Sequence, residues 1–285
     1  GQSAPGQQVI TPGVVAVASG DNHSLLLMED GTLRATGYNL DGQLGDGSTV
    51  NRFTPVQVAS GVAQAAAGSS HSLFVKTDGT LWGMGKNGSG QLGDGTTTSR
   101  PFPVQIASGV AAAAAGGAHS LFLKTDGTLW AMGTNYNGEL GIQFNLSQLS
   151  PAEVTAGVVS FAAGGSHSMF VKADGSLWAM GYNYSGQLGD GTTFNRKLPV
   201  RVASSVASVA LGVSHSLIRD LLPAIAAEPA DAGAPPGGMA TLSVTPAGVG
   251  PWTLQWYHGD RGDTNEPLPG ATAASLTTPA LDAGT

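Results

Sequence analysis

The stretch HSLFVKTDGTLWGMGKNGSGQLGDG, residues 71–95, decides how the rest of the chain is read. Two short apolar runs, SLFVK and TLWGMG, flank an Asp-Gly turn, and a glycine-rich loop follows. Apolar runs joined by Asp-Gly are hairpin chemistry. The stretch is one copy of several. Its opening His-Ser pair stands at His23, His71, His119, His167 and His215, always 48 residues apart, and Asp-Gly recurs at 30–31, 78–79, 126–127 and 174–175. The first half of the unit occurs five times and the second half four; the fifth copy breaks off at HSLIRD, residues 215–220. A unit of this size, with about four short strands and no sustained helical period, predicts a β-propeller blade. Residues 7–220 are therefore read as propeller and residues 1–6 as a tail.

Residues 88–93, GSGQLG, match the glycine pattern of dinucleotide-binding loops. That pattern has meaning only where a strand runs into a helix. The corresponding positions read LDGQLG (40–45), YNGELG (136–141) and YSGQLG (184–189), so the first glycine occurs once and the repeated element is GQLG or GELG. It leads into GDGTT and a further strand, leaving no helix N-terminus for a pyrophosphate. The repeated glycines are expected to supply positive-φ positions in an inter-strand loop.

One strand per unit is rich in small residues, as in VAQAAAG (62–68) and VAAAAAG (110–116), which suits the crowded axis of a propeller. Leu, Phe and Trp82, Trp130 and Trp178 are expected to fill the space between blades. Arg34 takes the tryptophan's place in the first unit, which predicts a different or exposed contact there.

The combination of His-Ser-Leu, Asp-Gly-Thr, Trp-x-x-Gly-x-Asn and Gly-Gln-Leu-Gly, as in residues 71–95 and 167–191, resembles the regulator of chromosome condensation repeat family. The resemblance covers about three quarters of the chain and implies a β-propeller acting as a protein-binding scaffold. The family's founding member is a nuclear guanine-nucleotide exchange factor that also binds chromatin; bacterial relatives include β-lactamase inhibitors and secreted proteins. Family propellers typically have seven blades, against four and a half units here. The exchange factor's inserted wedge and basic chromatin surface are missing, so the fold carries over and the exchange activity does not.

Composition narrows the function further. Net charge is −7 with only 12 Lys plus Arg, scattered singly apart from Arg196-Lys197, so the basic stripe of a nucleic-acid binder is missing. Without cysteine there is no disulfide, zinc cluster or thiol nucleophile. No apolar run approaches the ~20 residues of a membrane span. No cofactor, metal, nucleic-acid partner or membrane insertion is expected.

After a Pro/Ala/Gly-rich linker, 221–235, residues 236–285 alternate as sandwich strands would: MATLSVTPAG, WTLQWYHGD and AASLTTPALDAGT. They resemble a bacterial immunoglobulin-like domain with Trp256 as candidate core residue and its last strands missing. The predicted fold class is thus all-β, a propeller of 48-residue repeats followed by an incomplete immunoglobulin-like β-sandwich. Both modules read as incomplete, through truncation or through completion by neighbouring chains.

The five repeated histidines are expected to share one structural task, a hydrogen bond to a neighbouring turn. Asp46, Asp94 and Asp190 in GDGT and GDGS are read as turn caps, since their spacing does not fit a calcium loop. The third unit departs, with GIQFNLSQLS in that place. His258 stands alone, and Arg261-Gly262-Asp263 is read as a chance match to an integrin-binding tripeptide. No G-x-S-x-G elbow or H-E-x-x-H helix occurs, and the chain is expected to be no enzyme.

The most variable loops, YNLD (38–41), KNGS (86–89), TNYN (134–137) and YNYS (182–185), are expected to share one propeller face. The candidate contact residues are Tyr38, Lys86, Tyr136, Tyr182 and Tyr184. The expected function is a secreted or cell-surface bacterial scaffold binding a protein or glycan on that face. The alternatives are a subunit that assembles into a homo-oligomer or polymer by strand sharing, and an inhibitor of a secreted enzyme such as a β-lactamase.

Overall fold

Each full copy of the repeat folds into its own four-stranded antiparallel sheet. The computed structural model describes residues 12–143, 146–220, 224–227, 234–235, 237–247, 253–257 and 264–278. The first sheet has the order β1 (Val14–Ser19), β2 (His23–Met28), β3 (Leu33–Gly37), β4 (Arg52–Ala59). The second runs β5 (Val62–Ala67), β6 (His71–Lys76), β7 (Leu81–Gly85), β8 (Arg100–Ala107). The third comprises β9 (Val110–Ala115), β10 (His119–Lys124), β11 (Leu129–Gly133) and β12 (Gln148–Thr155). The fourth comprises β13 (Val158–Ala163), β14 (His167–Lys172), β15 (Leu177–Gly181) and β16 (Arg196–Ala203). A fifth holds only β17 (Val206–Leu211) and β18 (Ser216–Asp220). No helix occurs among the described residues.

The Asp-Gly turns close as three-residue loops. In the second sheet Gly79 N–H donates to the Lys76 carbonyl at 2.9 Å, and Lys76 N–H to the Thr80 carbonyl at 2.9 Å. Asp78 Oδ1 accepts from Thr80 N (2.9 Å) and Thr80 Oγ1 (2.6 Å), and Trp82 Nε1 donates to that same hydroxyl at 2.9 Å. The turn therefore fixes the indole as well as the hairpin.

Four hydrophobic clusters cement successive sheets. Leu25, Leu33 and Ala35 of the first sheet bury against Val62, Phe74 and Met84 of the second, with Trp82 at the margin. The same residue types recur at the next interfaces, down to Val206 against Met169, Val171 and Leu177. Phe74 and Trp82 stack at 6.3 Å with 3° between their planes, and the Lys76 ammonium lies 4.8 Å from the indole centroid. Each such aromatic contributes a few kcal/mol, at about 25 cal/mol per Å² of apolar surface buried. The tryptophans do fill the inter-sheet space, as expected. On the first sheet Arg34 pairs with Leu26, and Leu26 with Val17, which is 61% exposed. The contact at Arg34 thus differs from the others: Val17 on its face is exposed, while Arg34 itself is half-buried with its Nε enclosed.

The chain divides into two compact units, Gly1–Arg219 and Asp220–Thr285. In the second, β19 (Ala224–Ala227) pairs with β21 (Thr245–Ala247), and β20 (Thr241–Ser243) with β22 (Ser275–Thr277). Trp256 is half-buried, and its Nε1 donates to the Ala273 carbonyl at 2.9 Å. The N-terminal tail, most of the linker, His258, Arg261–Asp263 and the final DAGT lie outside the described residues.

Candidate functional site

The site is built where the first two strands of every sheet meet in a turn. Gly68 N–H donates to the His71 carbonyl at 2.9 Å, and Gly20, Gly116, Gly164 and Gly212 do the same with their own histidines. A Cβ on Gly68 would lie 2.4 Å from the His71 ring and 2.4 Å from the carbonyl oxygen of Gly116, so only glycine fits. These turns, with Asp21, Ser69, Gly117, Gly165 and Val213, line an axial cavity of about 270 Å³.

Each of the first four histidines then reaches the next sheet, whereas His215 is exposed. His23 Nε2 lies 2.8 Å from Ser72 Oγ, His71 2.9 Å from Ser120, His119 2.9 Å from Ser168, and His167 3.0 Å from Ser216. Each serine hydroxyl donates back to the preceding sheet's loop, as Ser72 Oγ does to the Gln43 carbonyl at 2.8 Å and Ser120 Oγ to that of Gln91 at 2.7 Å. A carbonyl can only accept, so the serine's one proton is committed and the imidazole must donate through Nε2. The pairs have the separation of a base and a nucleophile but the opposite polarity. Burial lowers the His71 and His119 pKa values to about 3, and those of His23 and His167 to about 4. Four of the five histidines therefore share one structural task, and the partner is a strand serine of the next sheet rather than the expected turn.

The loop after each third strand is held by a second repeated device. Asn87 is fully buried: its Nδ2 donates to Asp94 Oδ1 (2.9 Å) and the Thr96 carbonyl (3.0 Å), while Oδ1 accepts from Leu92 N at 2.9 Å. Asp94 Oδ1 also accepts from Thr96 N and Oγ1, and Oδ2 from Arg100 Nε at 2.7 Å. Asn39/Asp46/Arg52 and Asn183/Asp190/Arg196 repeat the arrangement. Burial pushes the Asp190 carboxyl up, but donors from Arg196, Thr192 and Asn183 outweigh it and hold its pKa at about 2. These aspartates are turn caps with their oxygens engaged. Among the described residues no group of three or more His, Asp or Glu is placed to hold a metal.

The loops carrying the candidate residues are tied to the axial turns. Tyr38 N–H donates to the Asn22 carbonyl, Lys86 to Ser70, Thr134 to Ala118 and Tyr182 to Ser166, all at 2.8–2.9 Å. All four loops therefore emerge at one end of their sheets. Tyr136 and Tyr184 are 68% and 67% exposed, Tyr38 and Lys86 are exposed, and Tyr182 is half-buried. Tyr182 and Tyr184 are in contact, ring centroids 4.9 Å apart and planes tilted 51°. Tyr182 also walls a second cavity of about 320 Å³ with Asp21, Ser69, Asn137, Ser166 and Val213. The asparagines at the second position of each loop serve the skeleton instead. Sequence reasoning missed Leu40, exposed at the position of Tyr136 and Tyr184, and the turn residues Asp21, Ser69 and Val213. The repeat alignment could have found them, because the turn between the first two strands varies from copy to copy.

The family model described as RCC1-like domain matches residues 2–221. The chain belongs to the RCC1-like domain family. Its repeated sheets are the blades of an RCC1-like propeller. Among solved structures it is similar to human WBSCR16, at 28% identity and TM-score 0.66, over 72% of this chain and 57% of that one. It is also similar to Prp20p of Saccharomyces cerevisiae, at 24% identity and TM-score 0.65, over 74% of this chain and 57% of that one. The yeast RCC1 (Prp20) bound to Kap60 matches at 24% identity and TM-score 0.67, over 73% and 54%. The chain thus spans little more than half the length of these relatives.

Proposed function

We propose that this RCC1-like propeller is a non-enzymatic protein-binding scaffold whose contact surface is the loop end bearing Tyr38, Lys86, Tyr136, Tyr182 and Tyr184. The observation that carries the reading is the contrast within each loop. The Asn-Asp-Arg skeleton is pinned alike in three blades, whereas the exposed position after each asparagine changes from Leu40 to Gly88 to Tyr136 and Tyr184. A rigid frame presenting varied, aromatic-rich side chains suits recognition. Among the family, Prp20p has binding properties to Gsp1p and histones, and yeast RCC1 is found bound to Kap60. The setting we propose is a secreted or cell-surface bacterial protein. Residues 221–235 act as its linker, and 236–285 as a spacer of immunoglobulin-like type.

The test is affinity capture from culture medium and cell-surface extracts, with the wild type and a Tyr136→Ala/Tyr184→Ala variant immobilised side by side. A protein retained by the first and lost by the second is expected. Identical retained sets would contradict the reading. Strand sharing between copies is a second reading, favoured by β18, which among the described residues pairs only with β17 and exposes Leu217 at 65%. Light scattering distinguishes it, since it requires a mass above that of one chain.

A further inference from the structure

Three of the four loops place glutamine before the Leu-Gly step: Gln43, Gln91 and Gln187. In each, the side-chain oxygen accepts from the backbone N–H two residues earlier, as Gln91 Oε1 does from Ser89 N at 2.9 Å. The third loop has Glu139 instead, 1% exposed. Glu139 Oε2 accepts from Asn137 N at 3.0 Å and Oε1 from Asn137 Nδ2 at 2.7 Å. The ion pairs among the described residues all join Arg to Asp, and none includes Glu139. A buried carboxylate with neutral donors and no counter-charge is costly, and the glutamine of the sister loops would satisfy the turn without that cost.

Asn137 stands between this charge and the 320 Å³ cavity that it helps to wall. Its Oδ1 accepts from Asn195 Nδ2 of the next blade at 3.2 Å, which fixes the amide. The one charged residue of the cavity lining is Asp21, again an acid. Tyr182 adds an aromatic wall, with Tyr184 tilted against it at the rim. Carboxylate, aromatic faces and hydroxyls around a cavity without a cation form a receptor for a positive group. The chain already makes this pairing internally, with Lys124 Nζ 4.2 Å from the Trp130 centroid.

We infer that the cavity at the loop end of the axial turns, walled by Asp21, Asn137 and Tyr182 and backed by Glu139, receives a lysine or arginine side chain of the protein partner. This rests on the reading of the loop end as a protein-binding surface, and it gives that surface its chemical preference. A neutral glycan would fill the space and leave the Glu139 charge unopposed.

The test is an NMR titration of the intact, isotope-labelled chain with the acetylated, amidated tripeptide Gly-Arg-Gly, its citrulline counterpart, and a neutral hexasaccharide. The arginine peptide is expected to shift signals of Asn137, Tyr182 and Tyr184, and the neutral citrulline peptide to bind about tenfold more weakly. Glu139→Gln restores the residue of the sister loops, so the fold is retained; it is expected to weaken the arginine peptide about tenfold without lowering Tm. Equal binding of the two peptides, preference for the saccharide, an unchanged affinity in Glu139→Gln, or no shift at about 10 mM peptide would overturn the inference. If any of these occurs while Tyr136→Ala/Tyr184→Ala still abolishes partner capture, the cation pocket falls and the protein-binding surface stands.

Discussion

Replacing Ser120 by alanine tests whether the repeated His-Ser contact holds the blades together. Ser120 Oγ accepts from His71 Nε2 at 2.9 Å and donates to the Gln91 carbonyl at 2.7 Å. His71 and Ser120 are 0% exposed, and His71 Nδ1 already lacks a partner. Ser120→Ala therefore orphans an imidazole N–H and a carbonyl, each at about 1–3 kcal/mol, for a total of about 2–6 kcal/mol. In a unit of this size that lowers Tm by roughly 10 °C. Because blades contact only their neighbours, the loss falls at one interface and can separate unfolding into two steps. Urea unfolding followed by fluorescence reads it directly, with Trp130 packed at that interface and Trp82 at the one before it. Ser24 provides the control. It occupies the same place in the first blade, and none of the His-Ser contacts there involves it, so Ser24→Ala is expected to change stability by less than about 0.5 kcal/mol. Equal effects of the two substitutions would refute the reasoning, as would the absence of coupling between Ser120→Ala and His71→Ala in a double-mutant cycle.

Acid should unlock the same contacts. The buried histidines are neutral when folded, with pKa values of about 3 to 4 against 6.5 ordinarily, so the unfolded chain binds more protons between those limits. Stability is full above pH 6.5 and declines as pH falls toward 4, by about 3 kcal/mol per fully buried histidine near pH 4.5; a flat denaturation midpoint from pH 7 to 4.5 would contradict this. Gly88 has no neighbour for an added Cβ within 4 Å, whereas Gly90 has φ +77° and a Cβ there would lie 2.8 Å from Leu149 Cα. Calorimetry should therefore find Gly88→Ala neutral and Gly90→Ala costing about 2 kcal/mol or more. Asp94→Asn sets an amide against the Arg100 guanidinium and should cost about 1–2 kcal/mol. Faster amide exchange confined to residues 86–100 would locate the damage.

Much of the fold was legible because the repeat writes each structural requirement several times. Glycine recurs beneath the histidine ring, tryptophan beside phenylalanine across the hairpin, and Arg34 marks the first blade, where the tryptophan is replaced. The pairing partners were less legible. His71 and Ser120 are 49 residues apart, and nothing local to either names the other. In the loops, Asn and Tyr stood side by side as equally plausible contacts. The hydrogen bonds separate them, burying Asn87 as a clamp and leaving Tyr136 and Tyr184 outside. Glu139 was visible as a departure, GELG for GQLG, but its burial without a counter-charge follows only from packing. In the second unit, short strands and scarce apolar residues give pattern reading little to hold, and Trp256 is the clearest anchor there.

The central claim is that the loop end of this RCC1-like propeller binds a protein. Site-specific photo-crosslinking tests it most directly, with a benzophenone amino acid placed at Tyr136 or, as the opposite-end control, at Thr77 beside the Asp78-Gly79 hairpin. The account predicts one crosslinked protein species from Tyr136, absent from Thr77 and lost on adding excess unlabelled propeller. The same crosslinks from both positions, or crosslinks from Thr77 alone, would contradict it.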